Sequence, residues 1–396
     1  MHNENWLKSE LKELKGHALF RTLTPRAGVG GRFSDENDRT VLNFSSNDYL
    51  NFSQHPQIID AARRHLETTG CGSGASRLMS GNLPIHEQLE LAIARHKNYP
   101  AALLFGSGFL ANTGIIPALT ERGDRIYADR LVHASIIAGI RLSGARLFRF
   151  QHNDTRHLEK LLAGENRDAE NSRGRKLVIT ESVFSMDGDR APLTDIATVC
   201  EQYGAMLMVD EAHATGVFGA DGAGLINELG LEDKVNIAMG TFSKALGNYG
   251  GFCACSEDMR SWLINKAPSF IYTTALPPAV TGGCLKALEL LKEQAGIGEE
   301  LLNRAGIFLQ QLREKGVETG KSESQIIPVI IGDSRTALRL SERLREEGII
   351  ASAVRPPTVP QGSARLRLSL TLAHTKDDLA FTAEKIAEAA GEEGLL

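Results

Sequence analysis

Asp210 and His213 stand three residues apart in Met208-Val-Asp210-Glu-Ala-His213-Ala-Thr-Gly216, directly after the apolar run Ala205–Val209. A carboxylate and an imidazole at the end of a buried strand can serve three chemistries. They can form the D-E-A-H box of a nucleic-acid helicase, supply ligands to a metal, or clamp an aromatic cofactor. The helicase needs a phosphate cradle of the form G-x-x-x-x-G-K-[ST] ahead of the box. The nearest approach, Gly316-Val-Glu-Thr-Gly320-Lys321-Ser322, is one residue short, follows a charged stretch and lies downstream. A metal site needs further ligands, and none stands at a suitable spacing beside this pair.

Lys244 shifts the balance toward the cofactor. It follows an apolar run and two hydroxyls in Thr241-Phe-Ser243-Lys244, and a glycine-rich turn (Gly247-Asn-Tyr-Gly250-Gly251) comes next. A lysine becomes a nucleophile when burial or nearby cations lower its pKa. A buried lysine able to form a Schiff base, together with a strand-end aspartate, is what pyridoxal phosphate requires. That cofactor is an electron sink only while its ring nitrogen keeps a proton, which an adjacent carboxylate favours.

Two other stretches carry polar groups. Gly106-x-Gly108-x-x-Ala111 matches a dinucleotide fingerprint in form. Its backbone N–H groups would open a helix, where a phosphate is favoured, and a tight turn needing glycine reads equally well. His133, in Asp129-Arg-Leu-Val-His133-Ala-Ser135, reads by itself as a half-buried histidine. Glu211, inside the Asp210–His213 pair, reads as facing solvent or standing behind the site.

These residues need a frame that delivers them to one place. Short, continuously apolar runs (Ala101–Phe105, Lys176–Thr180, Met206–Asp210 and 236–240) alternate with helical stretches such as Leu193–Tyr203. Continuous apolarity predicts strands buried on both faces, hence an α/β fold with a mostly parallel central sheet covered by helices. Open sheets of this kind place ligands at the carboxyl ends of their strands, where the polar residues stand. Trp6, Leu7, Leu11, Leu14 and Ala18 recur at helical spacing over residues 5–20. From about residue 285 charged helical runs (Leu285–Gln294, then 299–315) precede shorter strands (Ile326–Ile331, 349–354, 365–370), which predicts a smaller α+β unit. The expected division is an N-terminal helix and arm over 1–50, a large domain over 51–284 and a small C-terminal domain over 285–396.

The bulk composition narrows the function classes. A chain of 396 residues with 42% hydrophobic and 23% charged residues is of ordinary globular composition. A net charge of −5 supplies no electrostatic reason to expect a nucleic-acid or anionic-membrane partner. No apolar run approaches the roughly 18 residues of a membrane span. The N-terminus lacks a signal-peptide pattern, and five scattered cysteines do not make a disulfide framework. Cys253-x-Cys255 reads as two buried small residues. The expectation is a cytoplasmic protein without a metal.

The stretches SSNDYL, GSGASRLMSG, DRLVHASI, ESVFSMDGD, VDEAHATGVFG, TFSKALGNYGG and RPPTVPQGSARLRLSL, in this order from about residue 20 to about 375, resemble the α-oxoamine synthases. One departure is Asn51, where that family usually shows glycine. The resemblance implies a fold-type I pyridoxal-phosphate transferase with a large domain and a smaller C-terminal one. Such enzymes condense an amino acid with an acyl thioester and expel carbon dioxide. It further implies that Lys244 holds the cofactor aldehyde, Asp210 pairs with the pyridine nitrogen and His213 hydrogen-bonds the phenolic oxygen. His133 would stack on the ring, Ser185 would sit near the phenolic edge, Gly108 and Phe109 would support the cofactor, and Thr241 would reach the phosphate. On the substrate side, Arg355 would grip the amino-acid carboxylate, with Thr358 close behind it in sequence, and Arg21 would meet a distal carboxylate. The Arg355-Pro-Pro-Thr358 stretch resembles the members of the biotin pathway that join L-alanine to a pimeloyl thioester, carried by coenzyme A or an acyl-carrier protein. A member joining glycine to acetyl-coenzyme A is the nearest alternative. An NAD-dependent oxidoreductase built on the Gly106 turn and a non-catalytic homologue are alternatives of other classes. Ile271–Pro278 resembles the segment with which the family reaches its partner's phosphate, so a homodimer is expected.

Overall fold

The computed structural model describes residues 4–26, 28–35, 37–164 and 174–396. The chain forms two compact units: Met1–Asn47, Met186–Asp189 and Leu301–Leu396 make one, Asp48–Ser185 and Arg190–Glu300 the other. In chain order, β1 (Arg32–Ser34) and β2 (Thr40–Asn43) come first. Then follow β3 (Ala101–Phe105), β4 (Arg125–Asp129), β5 (Arg146–Phe150), β6 (Lys176–Glu181), β7 (Met206–Asp210), β8 (Ile237–Thr241) and β9 (Gly251–Cys255). The last strands are β10 (Ile326–Gly332), β11 (Ile349–Ile350), β12 (Ser352–Val354) and β13 (Ala364–Ser369).

The larger unit is built on a seven-stranded sheet in the order β3-β9-β8-β7-β6-β4-β5. Neighbours from β5 to β8 are parallel, and β9 runs against both β8 and β3. All strands but β9 therefore point the same way, and six carboxyl ends share one rim. Strands β3, β8 and β9 are buried along their whole length, which is why they read as unbroken apolar runs. Leu103, Ile126, Ile179, Met208, Met239 and Cys253 belong to one core with Ile115 and Ile136 of the covering helices. Gly240 faces Phe252 across β8 and β9. A Cβ at Gly240 would come within 2.4 Å of that ring, so only glycine lets the phenyl group lie over the strand.

The smaller unit is α+β. β10-β13-β12 form an antiparallel sheet and β1-β2-β11 a second one. The single strand expected over residues 349–354 is two, one in each sheet, with Ala351 between them. Phe44 stacks on His374 with centroids 4.1 Å apart and on Phe308 at 5.6 Å. Met186–Asp189 joins this unit through the Glu323 N–H, which donates to the Gly188 carbonyl at 3.1 Å, and through an Arg365–Asp187 ion pair. The amphipathic N-terminal segment is a helix over Asn5–Gly16. No helix among the described residues is long and apolar enough to cross a membrane.

Candidate active site

The strand ends of the larger unit converge on a cavity of about 220 Å³. β7 ends at Asp210, whose Oδ1 accepts the Ala212 N–H at 2.9 Å and whose Oδ2 accepts Asn112 Nδ2–H at 2.9 Å. Each carboxylate oxygen thus holds one donor, and the group is only 5% exposed. The next residues form a helical turn, with the Ala214 and Thr215 N–H groups donating to the Glu211 carbonyl, and this turn returns His213 to the cavity. His213 Nε2 lies 2.7 Å from Lys244 Nζ, and its Nδ1 lies 2.7 Å from the hydroxyl of Tyr49. Tyr49, in the SSNDYL stretch, is fully buried.

Lys244 leaves β8 through a turn made by its own hydroxyls. Thr241 Oγ1 donates to the Gly250 carbonyl at 2.7 Å and accepts the Ser243 N–H at 3.1 Å. Gly247, at φ +61°, packs so closely on Phe52 and Ser53 that a Cβ would lie 2.3 Å from the Ser53 nitrogen. That contact brings the 48–53 turn against the lysine loop. Asn51 in this turn has φ +58°, a left-handed conformation that asparagine tolerates better than most residues. The departure from glycine therefore leaves the turn intact.

On the other side of the cavity β3 runs into the helix Gly108–Leu119, capped by Ser107, whose hydroxyl accepts the Leu110 N–H. A Cβ at Gly108 would touch Met239 at 3.2 Å. The close approach lets the helix start, with its positive dipole end, face the cavity beside Thr241. His133 caps the helix Ala134–Ser143 by accepting the Ser135 N–H at Nδ1. Its own backbone N–H donates to Glu181 Oε1 at 2.6 Å. Burial pushes the Glu181 carboxyl well above its usual range, reinforced by Asp210, its partner in the β6–β7 register. Burial also holds the His133 imidazole below its usual range. The charge of Lys244 acts in the same direction and that of Asp210 opposes it.

Of the residues read from sequence, Gly108, Phe109, His133, Asp210, His213, Thr241 and Lys244 line this one cavity. Ser185 stands four residues beyond β6 and is not among its lining residues. Arg21, Arg355 and Thr358 belong to the smaller unit. There Arg355 is buried, donates from Nη1 to the Ala18 carbonyl, and has an Nε without a partner among the described residues. Burial lowers its pKa, and the positive charge of Arg21 lowers it further. The Thr358 N–H donates to the Arg355 carbonyl at 3.1 Å. Two arginines that repel each other, one with an unused donor, suit an anionic group. Glu181 stands at the end of an apolar run, where strand-end polar residues are expected to share a site, and it lines the cavity. Asn112, Ser135 and Tyr49 were not identifiable from sequence as site residues, because no local pattern separates them from ordinary helix, cap or turn positions. Glu211 is fully buried behind the site, not solvent-facing. Among the described residues no cluster of three His, Cys, Asp or Glu side chains is placed to hold a metal.

The donor set fits pyridoxal phosphate. It supplies a carboxylate for a ring nitrogen, an imidazole for a phenolic oxygen, an amine for an aldehyde, and a helix start with a hydroxyl for a phosphate. A family model described as Aminotransferase class I and II matches residues 39–386. An 8-amino-7-oxononanoate synthase of Geobacter sulfurreducens is 43% identical over 392 residues, 98% of this chain and 99% of its own length. A serine palmitoyltransferase from S. paucimobilis, solved with bound pyridoxal phosphate and myriocin, superimposes with a TM-score of 0.91 at 28% identity, covering 99% of this chain and 98% of that one. An 8-amino-7-oxononanoate synthase from Francisella tularensis superimposes at 0.77 with 32% identity, covering 89% of this chain and 99% of that one.

Proposed function

The chain belongs to the class I and II aminotransferase family as a fold-type I, pyridoxal-phosphate-dependent enzyme, and we propose that it condenses L-alanine with a pimeloyl thioester to 8-amino-7-oxononanoate, carbon dioxide and free thiol. The observation that carries the reading is the meeting of Lys244, His213, His133 and Asp210 in one cavity. The relatives of like sequence named 8-amino-7-oxononanoate synthase support the choice of reaction within the family.

When bound, the cofactor supplies an electron sink for the bond broken at the amino acid's Cα. Asp210, its two oxygens already oriented by Asn112 and Ala212, would keep the proton on the ring nitrogen. His213, whose imidazole Tyr49 holds from the far side, would hydrogen-bond the phenolic oxygen. Lys244 would hold the aldehyde and, when freed by the amino acid, would supply Nζ as the base that takes the Cα proton. Cα would then bond to the thioester carbonyl carbon as the thiolate leaves, the resulting β-keto acid would lose carbon dioxide, and Cα would take back the proton held on Lys244 Nζ. Which Cα bond breaks depends on which stands perpendicular to the ring, so a fixed grip on the alanine carboxylate is required. Arg355 is assigned that grip, with Thr358 in the same turn, and Arg21 is assigned the distal pimeloyl carboxylate.

The free, buried thiols of Cys200, Cys253, Cys255 and Cys284 suit a reducing, cytoplasmic setting. The active unit is assigned as a homodimer. Phe109 at the cavity and Tyr272 in the Ile271–Pro278 segment are large rings left 51% and 85% exposed, which suits burial by a second copy. A fully active monomer in sedimentation would refute it. Mass spectrometry of products from paired amino acids and thioesters tests the reaction itself. Turnover of glycine with acetyl-coenzyme A above that of alanine with pimeloyl-coenzyme A or a pimeloyl carrier protein would overturn the substrate assignment.

A further inference from the structure

Ser135 has no part in the chemistry above and Asn112 enters it only through Asp210, yet both line the cavity and each is only 1% exposed. Their hydrogen bonds have a readable direction. A peptide N–H can only donate, and that of Ser135 donates to His133 Nδ1 at 3.2 Å. Nδ1 therefore carries a lone pair, and the proton of the neutral ring sits on Nε2. Ser135 Oγ lies 2.7 Å from the same Nδ1, so its hydroxyl donates as well. The hydroxyl oxygen in turn accepts Asn112 Nδ2–H at 2.9 Å. The second proton of that amide goes to Asp210 Oδ2, also at 2.9 Å. A carboxylate only accepts, which settles which end of the amide faces it.

The fold is shaped to allow this bridge. The helix Ala134–Ser143 passes so close to Gly108–Leu119 that a Cβ at Gly139 would lie 2.6 Å from the Asn112 carbonyl oxygen. This approach sets the Asn112 side chain beside Ser135, in the first turn of the second helix. Asn112 Oδ1 is buried with no partner among the described residues. An apolar side chain of similar volume would avoid that unpaired oxygen, so what the position gains from asparagine is the pair of amide donors.

The geometry points to Asn112 and Ser135 as positioning residues that fix His133 in the tautomer protonated on Nε2 and, through the same chain of hydrogen bonds, hold the carboxylate of Asp210. This rests on the reading of the cavity as the cofactor site. An imidazole held in this way presents one N–H and cannot turn over to present an acceptor. Asp210 and Lys244 face the ring with opposite charges, and Glu181 holds its backbone N–H. Donors aimed at Nδ1 stabilise the neutral ring, so their removal makes the ring easier to protonate.

The test uses full-length protein labelled with 15N-histidine, the His133 signals being assigned by their loss in His133→Asn. The expected spectrum, in cofactor-free protein, has Nδ1 unprotonated and Nε2 protonated; a ring protonated on Nδ1, or a tautomer mixture, overturns the proposal. Ser135→Ala and Asn112→Ala should each move the His133 titration upward by about one pH unit. With pyridoxal phosphate bound, they should lower kcat by about tenfold or more while KM for the amino acid changes little, as expected for a misplaced group. Ser135→Thr, which keeps the hydroxyl, should restore both readouts. Variants that retain the wild-type circular dichroism and the wild-type His133 titration would also overturn it. Failure of the protein to develop visible absorbance with pyridoxal phosphate would sink the proposed function alone, because the nitrogen shifts would still decide the tautomer.

Discussion

Lys97 Nζ donates to Glu211 Oε2 at 2.8 Å with both side chains withdrawn from solvent. The ammonium also donates to Thr215 Oγ1 at 2.8 Å and to the Ala223 carbonyl at 2.6 Å, while Glu211 Oε1 accepts the Ile226 N–H at 2.9 Å. Both charges are thus satisfied on every side, directly behind the turn that carries Asp210 and His213. A buried pair of this kind is costly to break from one side, since the remaining charge has nowhere to go.

Lys97→Met should therefore lower the unfolding free energy by about 3–5 kcal/mol, while Lys97→Met with Glu211→Leu should recover much of that loss. Denaturant unfolding of the three proteins checks this. A double variant no more stable than the single one would show that the pair is not the source of the loss.

Purified protein should be yellow with bound pyridoxal phosphate, and borohydride should fix the cofactor to the peptide carrying Lys244. Peptide mass spectrometry decides the point: label on another lysine, or on none, excludes Lys244 as the attachment site. Lys244→Ala should still bind the cofactor through the remaining contacts and should lose turnover, because the base proposed for the Cα proton is gone.

Asp210→Ala should lose far more activity than His213→Ala. In the proposed reading the aspartate would maintain a full charge on the ring nitrogen, whereas the histidine would tune an oxygen. A loss of several kcal/mol in the barrier is expected for Asp210, on the scale of a principal electrostatic stabiliser. Steady-state kinetics with saturating cofactor measures both, and equal, mild losses would argue against the ring clamp.

Stability should fall in acid through two buried histidines. Burial pulls the imidazoles of His96 and His374 from 6.5 down to about 4. Below 6.5 the unfolded chain takes up protons that the folded chain refuses, so each contribution is complete above that pH and is lost as pH falls toward 4. The loss is about 3 kcal/mol for each group across this window. His374→Phe, which keeps a ring against Phe44, should flatten the dependence in thermal melts from pH 7 to about pH 4; an unchanged acid slope would assign the effect elsewhere.

With Arg355 in its proposed role, Arg355→Ala should raise the requirement for alanine by the equivalent of roughly 2–5 kcal/mol, because the carboxylate assigned to it would lose its partner. Arg355→Lys should recover only part of this, since an ammonium cannot reproduce the planar fork. Arg21→Ala should weaken use of the pimeloyl thioester and leave alanine binding unchanged. Titrating each substrate separately distinguishes the two roles, and loss of alanine binding in Arg21→Ala would overturn the division.

Much of the frame and its chemistry could be read along the chain. Strands buried on both faces announce themselves as unbroken apolar runs, and β3 and β7 have the bounds those runs predict. Asp210, His213 and Lys244 stand at strand ends, and parallel strands deliver their ends to one rim whatever the details of packing. Local order also foretold the helices Asn5–Gly16 and Leu193–Gln202, because periodicity is a property of neighbours. Only the tertiary structure decided which distant side chains would meet. Tyr49 reaches His213 across 164 residues of chain, and Lys97 reaches Glu211 across 114. Nothing in either stretch marks the contact, and Glu211 beside the site looks no different in sequence from a surface glutamate. The return of residues 186–189 to the unit formed by 1–47 and 301–396 is of the same kind. A side chain's partner, burial and protonation are set by the atoms packed around it, and those atoms come from helices and strands whose mutual approach depends on contacts such as Gly139 on Asn112.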